Sequence, residues 1–274
     1  MKKWPAFLLV LTIMNKRFRY MVSALICALG FGLFISLPYE SRYFGLMAGE
    51  VLVVFCMWFG LGVLFEGNFY VRVMSVLLPI MFFSGFGMFG ALLADNWFSI
   101  ALMTIFYGLV MYAMFLVENV FLVAIGFKTV PLYRAAYTVS LILLLLSAFF
   151  MYDSLFSFRT TYIFNTLFSL LISGLIFLYQ FWSVSIELPD DGKDLSLRLY
   201  VLIPALLVAE MTLVLSFWPA GIFKGSVYLV SAIYVLCGLI QADIRNRLFM
   251  KTKLTYLWIT IAILSAILMV TKWN

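Results

Sequence analysis

Apolar residues run through this chain in long blocks, and charges fall almost only between the blocks. Reading from charge to charge gives nine, at about 20–38, 44–65, 73–94, 97–117, 135–152, 160–186, 199–219, 225–243 and 254–271. A bilayer core about 30 Å thick takes roughly 20 apolar residues in a helix, so each block is long enough to cross. The blocks are continuously apolar, whereas barrel strands alternate over about ten residues. The pattern predicts an all-α polytopic membrane protein of about nine transmembrane helices. Residues 1–19 form an N-terminal cytoplasmic or interfacial segment, and residues 20–274 a single transmembrane domain.

Two apolar stretches fit less simply. Residues 4–14 rise only about 16 Å as a helix. They are followed by Asn15-Lys16-Arg17-Phe18-Arg19 rather than by a small-residue cleavage site, so they read as a short interfacial helix. Val120–Phe127 follows Glu118-Asn119, where the fourth block has already reached crossing length. It is either the tail of an overlong helix or an interfacial extension.

Composition narrows the class. The 274 residues are 66% hydrophobic, 19% aromatic and only 11% charged. Soluble chains are typically about 45–50% apolar and about 25% charged, so a soluble enzyme is excluded. Disordered chains lack aromatics and are excluded as well. Histidine is absent. That removes haem on axial imidazole, His-rich di-iron sites, zinc sites of the H-E-x-x-H kind and a Ser–His protease. Cys27, Cys56 and Cys237 are isolated in apolar runs and read as small buried hydrophobes. No metal site and no cofactor are expected.

Charge sets the orientation. With the N-terminus inside, 14 of the 18 Lys and Arg face the cytoplasm, leaving Arg42, Arg159, Lys224 and Lys272 outside. Such a bias in short loops predicts the N-terminus inside and the C-terminus outside, which nine crossings satisfy. The net charge of +6 therefore implies no nucleic-acid partner. Arg245, Arg247, Lys251 and Lys253 form the densest basic cluster and are candidates for anionic lipid headgroups, at about 1 kcal/mol each. An ordinary topology signal is the plainer reading. The acidic loop Glu187–Arg198 has a Pro-Asp-Asp-Gly turn and reads as a solvated connector.

Nine of the 12 acids sit at block ends or in loops, leaving Glu118, Glu50 and Glu210. Glu118 falls near the inner boundary of the fourth block. Glu50 lies about two helical turns inside the second, and Glu210 near the middle of the seventh. An ionisable group at that depth costs several kcal/mol unless paired or neutralised. No Lys or Arg stands at the same depth, so desolvation favours the protonated carboxyl. Such a group can exchange a proton for a cation, or it can serve as packing glue between helices. The candidate ion- or substrate-binding residues are Glu50, Glu210, Glu118 and Asn119. Asn119, Asn165 and Gln180 also suit helix–helix hydrogen bonds.

The surroundings of Glu50 and Glu210 match. Gly45-x3-Gly49-Glu50 precedes Trp58, Ala205-x3-Ala209-Glu210 precedes Trp218, and each following block ends in Ala-Asp. Five crossings separate the two blocks, which is the pattern of an inverted-topology repeat with sites near the midplane. Pro79, Gly85, Gly87 and Gly90 in the third block and Pro204 in the seventh suit kinked or closely packed helices.

The segment Glu118–Asp153 carries Asn119, Phe121, Lys128, Thr129, Pro131, Leu132, Arg134, Ala135 and Ala136. It resembles an uncharacterised family of polytopic membrane proteins of candidate-phyla bacteria, with Lys128 where that pattern has Arg. That family carries no assigned activity, so the resemblance implies a bacterial cytoplasmic (inner) membrane and nothing about catalysis. The leading expectation is thus a small proton- or cation-coupled secondary transporter that is not an enzyme. One alternative is a scaffold or assembly protein packing against membrane lipids, a protein partner or a second copy. The other is a histidine-free lipid-modifying enzyme, against which the lack of an Asp-x3-Asp motif counts.

Overall fold

Every apolar block becomes a helix, because a backbone amid apolar side chains satisfies its polar groups most simply within the segment. The computed structural model describes residues 16–62, 69–93, 96–126, 131–186, 198–219 and 221–271. They form α1 (Lys16–Ser36), α2 (Arg42–Leu61), α3 (Phe69–Leu93), α4 (Trp97–Gly126) and α5 (Tyr133–Ser157). There follow α6 (Tyr162–Ser185), α7 (Ile203–Phe217), α8 (Ile222–Ile244) and α9 (Met250–Val270). A 3-10 turn (Tyr39–Ser41) leads into α2 and a π turn (Arg198–Leu202) into α7. No strand occurs among the described residues. Nine spans among them are long and apolar enough to cross a membrane, the architecture of a multi-pass membrane protein.

The helix ends depart from the expected ones where charges lie on a helix rather than beyond it. α1 begins at Lys16, so Lys16, Arg17 and Arg19 are helical. α4 runs without interruption through Glu118-Asn119 to Gly126, for 30 residues. At 1.5 Å per residue that is about 45 Å, so residues 120–126 are the tail of an overlong helix. Residues 4–14 and most of the loop after α6 lie outside the described residues. α3 stays helical across Pro79. Pro204 sits in the first turn of α7, where its missing N–H has no helical partner to lose.

The chain resolves into two compact units, Met1–Leu143 and Leu144–Asn274, with α5 contributing to both. In unit 1, α1 is the central helix, packed on α2, α3 and α4. Its Phe31 is fully buried and stacks on Tyr107 at 4.3 Å and on Phe86 at 5.1 Å. Small residues let the backbones close. Gly108 meets Ala28, Gly32 meets Thr104, and Gly49 abuts the Phe83 ring. Arg42 ties α2 to the end of α3 by donating to the Ala91 carbonyl at 2.6 Å.

Unit 2 is built on the α6–α7 pair. Asn165, Ser169 and Ser173 recur every fourth residue on α6 and meet a matching polar row on α7. Asn165 Nδ2 donates to Ser216 Oγ at 3.5 Å, Ser169 and Thr212 share a 2.6 Å bond, and Ser173 donates to the Ala205 carbonyl at 3.1 Å. Asn165 therefore has the helix–helix role its residue type suggests. α8 packs on both helices of the pair, and α9 packs on α8 through Gly238 and Tyr256.

Candidate functional site

The four candidate residues divide between the two units. Glu50, on α2, is half-buried and accepts a 2.7 Å hydrogen bond from Ser84 Oγ of α3. The adjacent Gly49 sits against Phe83, so the small-residue stripe does bring α3 close. This carboxyl is held in a helix contact inside unit 1.

Glu118 and Asn119 lie together on α4, facing α1. Asn119 Oδ1 accepts a 2.9 Å bond from the Tyr20 hydroxyl. Glu118 is 0% exposed and Arg19, beside Tyr20, is 2% exposed. Two opposite charges thus flank one interhelical hydrogen bond, both removed from the surface. Burial of one ion without a compensating group nearby costs several kcal/mol, so opposite charges buried on adjoining helices are candidates to compensate each other. The sequence placed Arg19 among the loop bases and Glu118 at a helix exit. Arg19 lies one turn from Ser23 and next to Tyr20, both on the buried face of α1. That spacing was the available signal.

Glu210 has a different setting. Its carboxyl is on the exposed side of α7, opposite Ala205 and Ala209, which pack inward. There it lines a half-open groove of about 610 Å³ between α7, α8 and α9. The walls are mostly aliphatic, from Leu207, Val214, Val235, Leu239, Ile263 and Leu264 among others, with Trp218, Tyr228 and Thr260 adding polar atoms. The Trp218 indole already donates to Thr271 at 3.1 Å, and Thr260 to the Tyr256 carbonyl at 2.8 Å. Glu210 is the one carboxylate in the lining. Drug-sized ligands occupy pockets of roughly 300–1,000 Å³, mostly apolar with a few placed polar groups.

The basic candidates gather where α8 turns into α9. Asn246 takes a left-handed conformation at φ 53°, and the Arg247 amide closes the turn on the Ala242 carbonyl. Arg247, Lys251 and Lys253 are exposed and Arg245 is half-buried. Among the described residues no group of three or more Cys, Asp or Glu is placed to hold a metal.

Residues 66–270, three-quarters of the chain, match a family described as proteins of unknown function (DUF5656). The chain belongs to that family. The match takes in the Glu118–Asp153 segment and Glu210 and begins after α2, which carries Glu50. No curated protein matches the chain. No solved structure does either.

Proposed function

We propose that this family member is a small proton- or cation-coupled secondary transporter of the bacterial cytoplasmic membrane, N-terminus inside, with its binding site in the α7–α8–α9 groove. One observation carries the reading: a single carboxylate, Glu210, at mid-helix in an otherwise apolar groove of ligand size. A carboxyl so placed is neutral when protonated and attracts a cation when ionised, so it can trade one for the other. The apolar walls favour a ligand with an aliphatic or aromatic body around its positive charge. Trp218 and Tyr228 add ring faces suited to such a cation. Glu50, bonded to Ser84, serves packing in this reading, as Asn119 does through Tyr20. Glu50 and Glu210 have matching sequence surroundings but different contacts, one accepting from Ser84 and the other lining the groove.

The test is flux in reconstituted vesicles with an apolar organic cation and an imposed pH gradient. Glu210→Gln is expected to abolish pH-driven uptake while the protein keeps its helical content and detergent stability. Normal uptake by that variant overturns the proposal. A second reading, a scaffold, draws on α9, whose span has no fully buried residue and so offers its face away from α8 to a partner or to lipid. It predicts a stoichiometric partner in gentle-detergent pull-downs and full function in Glu210→Gln.

A further inference from the structure

Cys27 and Cys56 look unrelated along the chain, but the α1–α2 packing sets them face to face. The helices run antiparallel, and two contacts give the register. Gly30 abuts Leu52, and a Cβ on Gly60 would lie 3.4 Å from Ser23 Oγ. Cys27 is one turn from both Ser23 and Gly30, and Cys56 is one turn from both Leu52 and Gly60. The cysteines are therefore the middle rung between two glycine rungs, and their thiols are near enough to interact directly. Glycine on either side matters, because a disulfide needs Cα atoms about 4.4–6.8 Å apart. Both side chains are buried. Within electrostatic reach of both sulfurs is the hydroxyl of Tyr107, from α4. That residue is fully buried and, among the described residues, its hydroxyl has no hydrogen-bond partner.

A buried hydroxyl without a partner is uncommon enough to need an explanation. The surroundings decide between two uses of the dithiol. A structural zinc ion takes four ligands, whereas among the described residues no third Cys, Asp or Glu joins the two thiols, and the rings of Phe31, Phe82 and Phe83 crowd Tyr107. A disulfide is neutral and costs no charge burial. We propose that Cys27 and Cys56 are a dithiol that a small hydroperoxide converts to a disulfide, locking α1 to α2. The oxidant must be small because both sulfurs are enclosed.

The chemistry balances in two steps. One thiol loses its proton and its sulfur attacks the peroxide. The O–O bond breaks, the alkoxide or hydroxide leaving group takes that proton, and a sulfenic acid remains. The second sulfur then attacks the sulfenic sulfur. An S–S bond forms, the S–O bond breaks, and the oxygen leaves as water with the second thiol's proton. Two electrons pass from sulfur to the peroxide. Tyr107 donates its free hydroxyl to each thiolate as it forms.

The experiment treats the full-length chain in detergent with hydrogen peroxide. Free thiols are expected to fall from the three of Cys27, Cys56 and Cys237 to one, without dimer formation. Peptide mapping should recover a Cys27–Cys56 link. Cys237→Ser should still form it, and Tyr107→Phe should form it about tenfold more slowly through loss of a hydrogen bond to a charged group. Retention of all three thiols overturns the proposal. So does a link through Cys237, or sulfinic acids on Cys27 and Cys56 with no link between them. An unchanged rate in Tyr107→Phe removes the tyrosine from it. The decisive measurement is on the unmutated protein, so a variant that misfolds leaves the test intact.

Discussion

Both units are built from largely apolar helices, yet their mid-helix glutamates end in different settings. Unit 1 gives each carboxyl in its helix interior a partner or a burial place. Glu50 takes the Ser84 hydroxyl, and Glu118 shares the α1–α4 seam with Arg19. Unit 2 also pairs carboxylates, Asp153 with Ser226 and Asp243 with Tyr200, but it leaves Glu210 lining the open groove. Polar groups inside a helical bundle thus have two fates, and residue type alone does not choose between them. What chooses is whether the next helix arrives on the same side of the helix as the polar group.

The largest expected effect breaks the unit 1 side of that contrast. Glu118→Leu or Arg19→Met alone leaves a buried charge without its opposite and should cost about 3–5 kcal/mol. The double variant should cost less than the sum, as measured by thermal unfolding in detergent over a double-mutant cycle. Additive losses would show that the two charges do not compensate each other. Next in size, Gly49→Leu forces a side chain into Phe83 and should destabilise by about 1–3 kcal/mol.

Smaller effects probe unit 2. Removing the Ser169–Thr212 bond by Ser169→Ala and Thr212→Val should show a coupling energy of only about 0.6 kcal/mol, the typical value for such bonds between membrane helices. Smallest of all in stability is Glu210→Gln, expected within about 0.5 kcal/mol of the parent because nothing among the described residues bonds the carboxyl. A marked loss of stability there would place Glu210 with Glu118 as a structural group and erase the contrast.

The nine spans were legible to within a few residues because each is bounded by charges and nearly free of them inside. α4 and α5 were the exceptions. Glu118 and Asp153 read as boundary charges, whereas both are buried and their helices continue to Gly126 and Ser157. A charge marks a boundary only when it faces outward, and the sequence shows the charge without the facing. Arg19 misled for the same reason. The Asn165–Ser169–Ser173 row could be read, since a four-residue polar spacing survives in any helix that carries it. The apposition of Cys27 and Cys56 could not, since it depends on the α1–α2 register.

By itself, the sequence determined the helical class, the number of long apolar helices, the orientation expected from its basic residues and the short set of acids worth testing. Those follow from local apolar runs and from charge position, which need no neighbour to define them. Only the tertiary structure decided which face of each helix is inside. Apart from the α6 row, helices this apolar present no polar stripe to distinguish their faces. Glycines and hydroxyls set the contacts instead, and those contacts put Glu118 in a seam, two thiols opposite one another, and Glu210 in a groove.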